Sequence, residues 1–287
     1  MERAGLKRAG LKWTSLKWTS LTRIWLAPAL VMFLAGAAVA QHSPWRVLEP
    51  GLEMARFDSG LREARDDGDM LVFRIDPEYW RVKALSPGAA DGYEGMTTKA
   101  WCAVAELVLA FNAGMYQADG VTHVGYFKKD GEVINGAVND YLSAAAFGPV
   151  DPEAPYFRIF DLDEVPLGEV TARYRTVVQN LRLIKRPGVN RWQPAGDVWQ
   201  ELALGEDFKG RMLVISCRRR RSMHQFNETV LALPLGLVAA QHLEGRYPIS
   251  VWVEHPQVDR HGLPGVQQRG PKIPNALGVA RRHPQKP

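Results

Sequence analysis

The chain has 287 residues, 46% of them hydrophobic and 23% charged, with 2 Cys. That composition excludes wholesale disorder, a multi-span membrane protein and a disulfide-stapled scaffold. The formal charge of +5 sits in the first 40 residues. Arg3, Lys7, Arg8, Lys12, Lys17 and Arg23 face a single acid there, Glu2. The remainder is neutral, so bulk charge gives no support for a nucleic-acid partner.

Residues 1–40 read as an export signal, and 41–287 as the mature domain. A basic stretch is followed by an uncharged run from Ile24 to Ala40, which ends in Ala38-Val39-Ala40. Basic, apolar, then small-x-small is the order of a secretory segment cut before Gln41. Its apolar run is shorter than the ~20 residues that span a bilayer comfortably. A retained anchor is the alternative and would be the only membrane contact. The expected location is periplasmic or secreted, in an oxidising compartment. Cys102 and Cys217 then read as a pair or as two separate buried thiols. The apolar runs beside them favour separate thiols.

Past residue 41, short strands dominate. Leu71–Asp76 and Tyr79–Leu85 alternate, with a turn at Asp76-Pro77-Glu78, so residues 53–85 predict a hairpin or meander. Thr97–Glu106 predicts a helix capped by Thr97 or Thr98. Leu107–Phe111 predicts a buried strand that runs into Asn112-Ala113-Gly114. Val121–Phe127 and Glu132–Ile134 predict paired strands around Lys129-Asp130-Gly131. Tyr156–Leu162 and Thr176–Ile184 predict one strand each. Val198–Leu204 and Arg211–Ser216 predict a hairpin around Asp207–Gly210. Ser222–Leu233 is the clearest helix, with Ser222 as N-cap and Phe226, Val230 and Leu233 on one face. Gln241–Glu244 and Ile249–Val253 predict further strands. Gly262–Lys272 reads as loop, and the tail past Arg281 as frayed. The whole predicts one α+β domain, with a mixed, mostly antiparallel sheet and flanking helices.

Four patches carry candidate chemistry, and each has an ordinary structural reading beside it. Asn112-Ala113-Gly114 offers an amide at a strand end with a backbone that a ligand can approach; it also fits a plain turn. Gln179 and Asn180 interrupt an apolar strand, with Arg182 beyond. Such a pair needs partners or a ligand, or belongs to a solvated edge. His224 lies in the first turn of a helix, where an anion or a simple cap is equally at home. Glu244-Gly245 ends a strand as a general acid, a charge stabiliser or a surface turn. Arg218–Arg221 reads as a solvated loop. No metal-ligand spacing, phosphate loop, dinucleotide fingerprint or serine elbow is present. The cofactor requirement is therefore left unknown.

The order of these patches resembles the phosphodiester glycosidase family, from about Arg56 to Arg282. The blocks that carry it are Phe111–Tyr116, Val178–Ile184, Ser222–Gly236 and Leu243–Gly245, with Ile273–Val279 similar to the family's last strand. The resemblance implies an exported hydrolase that cleaves the sugar side of a sugar-1-phosphodiester. It implies His224 and Glu244 as catalytic residues, and Asn112, Gly114, Gln179, Arg182, Asn227 and Gly245 as substrate contacts. Cell-envelope glycans are the candidate substrates. The alternative is an inactive glycan-binding protein of the same fold, motivated by Arg246-Tyr247-Pro248 where many members carry a second glycine.

Overall fold

The computed structural model describes residues 44–60, 69–86, 95–247, 249–261, 263–267 and 269–282. The export segment at 1–40 and the end of the tail lie outside the described residues. Strands β1 (Arg46–Glu49), β2 (Leu52–Phe57) and β3 (Met70–Ile75) form a meander that starts before the expected one and ends before its last strand. β4 (Trp80–Leu85) does not continue it. The Asp76 turn, closed by its carboxylate on the Glu78 N–H, hands β4 to another sheet. Helix α1 (Thr98–Ala105) starts where Thr97 accepts the Ala100 N–H, and stops at Glu106 in a left-handed conformation. β5 (Leu109–Asn112) follows it.

β6 (Phe127–Lys129) and β7 (Glu132–Asn135) make a two-residue hairpin. Asp130 and Gly131 both have positive φ there, the conformation that such a turn requires. The predicted strand over residues 121–126 is instead an irregular segment held by one bridge, Tyr116 to His123. Next come β8 (Ser143–Pro149), β9 (Phe157–Asp161) and α2 (Leu167–Arg173). The single strand expected over 176–184 is two: β10 (Tyr174–Asn180) and β11 (Arg182–Lys185). They part at Leu181, whose carbonyl accepts the His242 N–H, and they join different sheets.

β12 (Val189–Asn190), β13 (Trp199–Asp207) and β14 (Met212–Arg221) precede α3 (Met223–Ala232). Arg218–Arg221 is therefore the end of a strand and not a loop, a correction that follows from Trp199 pairing with Arg221. α3 carries a full capping box between Ser222 and Gln225. β15 (Leu237–Glu244), β16 (Val251–Val253) and β17 (Ala276–Arg281) complete the order.

Three sheets result, ordered β1-β2-β3-β14-β13-β15-β11-β12, β7-β6-β10-β8-β9 and β16-β5-β17-β4. Every pairing between these strands is antiparallel. Alternation assigns their faces. Leu202, Leu204, Val214 and Leu243 of the large sheet pack with Phe127, Phe147 and Val178 of the second sheet and with Phe111, Val251 and Leu277 of the third. Ala203, Leu213, Ile215 and Ala240 point the other way and pack under Phe226 and Val230 of α3. Likewise α1 covers the outer face of the four-stranded sheet, and α2 that of the five-stranded one. The fold is thus α+β and mostly antiparallel, with one helix flanking each sheet.

Cys102 and Cys217 are both free and buried in different clusters, Cys102 on the inner face of α1 and Cys217 on β14 in the cluster under α3. Burial pushes each thiol up to about 12.

Candidate active site

The site grows from the place where β5, β10 and β15 end. Asn112 is buried, and its side-chain Oδ1 accepts the Ser250 N–H at 2.8 Å. The backbone carbonyl of Ala113 accepts the Asn180 amide at 2.9 Å. Gly114 is near-extended, so its requirement is steric. A Cβ there would lie 2.2 Å from Asn180 Oδ1 and 2.4 Å from His123 Cε1. His123 Nε2 lies 2.9 Å from the Gln179 carbonyl oxygen. A carbonyl only accepts, so Nε2 carries the proton and Nδ1 is a bare acceptor. Burial drives the imidazole down to about 4, which keeps it neutral. Neither Nδ1 nor Asn180 Oδ1 has a partner among the described residues. Two unpartnered acceptors are thus buried close to Gly114.

Gly114→Ala should therefore cost about 1–3 kcal/mol, the range for overpacking a filled site. A shifted urea midpoint with unchanged slope would register it. A variant as stable as the parent would mean that Asn180 and His123 have room to move.

Gln179 is held differently. Its Nε2 donates to the Asn139 and Tyr141 carbonyls, and its Oε1 accepts the Tyr126 and Asn139 N–H groups. The amide is fully used in pinning the 121–141 segment to β10.

A line of contacts leads on to β15. Ser143, opposite Asn180, hydrogen-bonds Gln241 Oε1 at 3.0 Å. Beyond Gln241 the register slips. His242 stands opposite Ala203 and Glu244 opposite Leu202, with Leu243 as the extra residue of a bulge. Glu244 is thereby aligned with the core-facing residue and His242 with the α3-facing one. The Glu244 Oε1 accepts the N–H groups of Gly245 at 2.9 Å and Tyr247 at 3.2 Å. Its Oε2 is buried without a partner among the described residues. Burial raises this carboxyl above its ordinary value, against the two N–H groups and the His242 charge. Tyr116 stacks on Tyr247 with ring centroids 5.7 Å apart. Burial and the nearby Glu244 charge raise the Tyr116 hydroxyl.

Behind Glu244 is a buried pair. His242 Nδ1 meets Glu201 Oε1 at 2.5 Å, and the Trp199 indole N–H donates to Glu201 Oε2 at 3.2 Å. Burial opposes both charges, lowering the imidazole and raising the carboxyl. On His242 burial is the largest single influence, but the Glu201 charge, its hydrogen bond and the Glu244 charge together outweigh it and hold the imidazole above its ordinary value. Trp199 also lies flush on Gly245, whose added Cβ would sit 2.4 Å from the indole. A cleft of about 530 Å³ opens at this point, lined by Trp199, Gln200, Arg220, Gly245, Arg246 and Tyr247 among others. No group of three or more His, Cys, Asp or Glu among the described residues is placed to hold a metal.

Of the residues expected from sequence, the structure brings Asn112, Gly114, Gln179, Glu244 and Gly245 to this junction. His224 and Asn227 lie elsewhere, and Arg182, opposite Gln241, stands at the margin of the junction with its guanidinium already engaged. Arg182 is ion-paired to Asp161 and Asp163. His224 and Asn227 belong to α3, on the outer face of the large sheet. The His224 carbonyl accepts the Asn190 amide, and Asn227 donates to the Leu183 carbonyl. These bonds dock the helix on β11 and β12. Sequence reasoning marked Asn180 only as half of a polar pair, and it missed His123, Glu201, Gln241 and His242. The usable signal was polarity in the wrong place: Glu201 and His242 each sit in an apolar strand and are buried.

Residues 105–280 match the phosphodiester glycosidase family. The chain belongs to that family. No curated protein matches it. Among solved structures, the chain is similar to the zebrafish N-acetylglucosamine-1-phosphodiester alpha-N-acetylglucosaminidase catalytic domain auto-inhibited by pro-peptide. The identity is 16% and the TM-score 0.58, over 83% of this chain and 86% of that one. A protein from Synechocystis matches at 12% identity and TM-score 0.54, over 83% of this chain and 61% of that one. At such identities the likeness is one of fold.

Proposed function

We propose that this phosphodiester glycosidase hydrolyses the bond between the anomeric carbon and the phosphate of a sugar-1-phosphodiester, with Glu244 as the catalytic carboxylate. The observation that carries the reading is the state of that side chain. One oxygen is clamped by two backbone N–H groups, and the other is buried and unpartnered among the described residues, in the residue next to the cleft-lining Gly245. The anomeric carbon gains positive charge as its bond to the phosphate oxygen breaks, and a fixed carboxylate is the complementary group. The bonding electron pair leaves on the phosphate oxygen, so the departing phosphomonoester needs little help from a general acid. Water bonds to the anomeric carbon, and its proton goes to Glu244, whose raised affinity for protons suits a base. Asn180 and His123 would accept sugar hydroxyls next to Gly114. The roles first given to His224, Asn227 and Arg182 pass to residues of the junction.

The reading also places the protein outside the cytoplasm, on cell-envelope glycans. The basic-apolar-small order of residues 1–40 supports export.

Hydrolysis in ¹⁸O-water tests the chemistry. The purified mature domain, given a panel of sugar-1-phosphodiesters, should release sugar carrying the label and phosphomonoester free of it. Label in the phosphate would mean cleavage of the other bond. Trace turnover on the whole panel, with measurable glycan binding, would leave a binding protein in its place.

A further inference from the structure

The cleft beside Glu244 has a composition that hydrolysis of a simple diester does not require. Arg220 reaches it from β14 and Arg246 from the turn after β15. The backbone on either side of Arg246 is tied to the carboxylate. Arg246 lies between Gly245 and Tyr247, whose N–H groups both end on Glu244 Oε1. Arg220 spends one N–H on the Val198 carbonyl at 3.1 Å, which leaves the rest of its fork toward the cleft. Arg246 is exposed and has no hydrogen-bond or ion-pair partner among the described residues. Asp197 also lines the cleft and forms no ion pair with either arginine. Trp199 and Tyr247 supply aromatic walls.

The two arginines oppose a developing sugar cation, so the sugar does not belong among them. They attract what leaves. One guanidinium fork matches the single negative charge of a diester, and the second, which forms no ion pair with the Asp197 carboxylate of the same cleft, is open to a further anion. We propose that this cleft receives the leaving-group side of the substrate, and that Arg220 and Arg246 select leaving groups carrying a second phosphate near the scissile one. That substrate class comprises glycosyl phosphates joined to a further phosphate, as in a repeating phosphodiester polymer. The proposal rests on the hydrolytic reading for its orientation, but not for the anion binding itself.

Two synthetic substrates with the same sugar test it. One is a methyl ester of the sugar-1-phosphate, and the other joins the same phosphate to glycerol 3-phosphate. The doubly charged ester should have the higher kcat/KM, by about tenfold for each arginine engaged, the scale of a charge-assisted contact. In Arg220→Ala/Arg246→Ala the ratio should fall toward one. A ratio near one in the parent, or a preference that survives the double substitution, would overturn the proposal and leave hydrolysis intact. Calorimetry with inorganic pyrophosphate gives a readout independent of turnover. The parent and Glu244→Gln should bind it, and the double arginine variant should bind at least fivefold more weakly. Should no ester be hydrolysed, this result alone decides. Equal binding by all three proteins, or none by the parent, would reject the anion site.

Discussion

Glu244→Gln is expected to lower kcat roughly a hundred- to a thousandfold, the loss typical of one preorganised electrostatic group, and at the same time to stabilise the fold at alkaline pH. The two effects share one cause. Glutamine keeps the oxygen that accepts the Gly245 and Tyr247 N–H groups, so the turn after β15 survives. What disappears is a buried negative charge. Burial raises the native carboxyl above its ordinary 4.5. Between 4.5 and the raised value, the native state holds a proton that the unfolded chain has released. Stability therefore falls as pH rises through that window and levels off above it. Glutamine has no such dependence, so the stability gap between variant and parent should open in the variant's favour between acid and alkaline pH. Thermal melts of both proteins from pH 4 to pH 9 would measure it. Activity of the parent should rise over the same window as the carboxylate forms. A variant with near-parental turnover, or one whose relative stability drops with pH, would remove Glu244 from the centre of the site.

Why Glu244 was legible in the sequence and its neighbours were not is a matter of range. A polar residue that closes an apolar strand before glycine is a local signal, and it marked both Asn112 and Glu244. Capping is local too, so Thr97 and Ser222 fixed the starts of α1 and α3. Strand partners are not local. Val177–Ile184 reads as one apolar stretch, and only the carbonyl of Leu181 taken by His242 divides it between two sheets. β3 and β4 look like a hairpin, yet each finds its neighbours far along the chain, β14 for one and β17 for the other. β8 is built on Ala144, Ala145 and Ala146, which carry little strand preference, and it was not foreseen. His224 shows the limit most clearly. Its helix was read correctly, but which face of the large sheet that helix covers depends on α3 packing against Ala203, Leu213 and Ala240. Nothing in its own segment reports that.

The pair His242–Glu201 was hidden for the same reason, since register alone joins residues from separate strands. Breaking it should give the largest stability effect in the protein. Both side chains are 3% exposed, and both carboxylate oxygens are occupied, one by His242 and one by Trp199. His242→Leu strands the Glu201 charge in the interior, a change that costs about 3–5 kcal/mol when one partner of a buried pair is removed. The loss should grow with pH. At pH 5 the stranded carboxyl can take a proton, whereas at pH 8 it must hold that proton against solution or ionise unpaired. Adding Glu201→Leu should recover much of the stability, because apolar residues often replace a buried ion pair without penalty. A catalytic readout separates positioning from mere packing. The His242 charge lowers the Glu244 carboxyl and the Glu201 charge raises it. His242→Leu leaves only the second influence, so the acid limb of the activity profile should move to higher pH. A variant that loses stability equally at pH 5 and pH 8 and keeps the parental profile would make the pair a packing feature, with no hold on the Glu244 carboxylate.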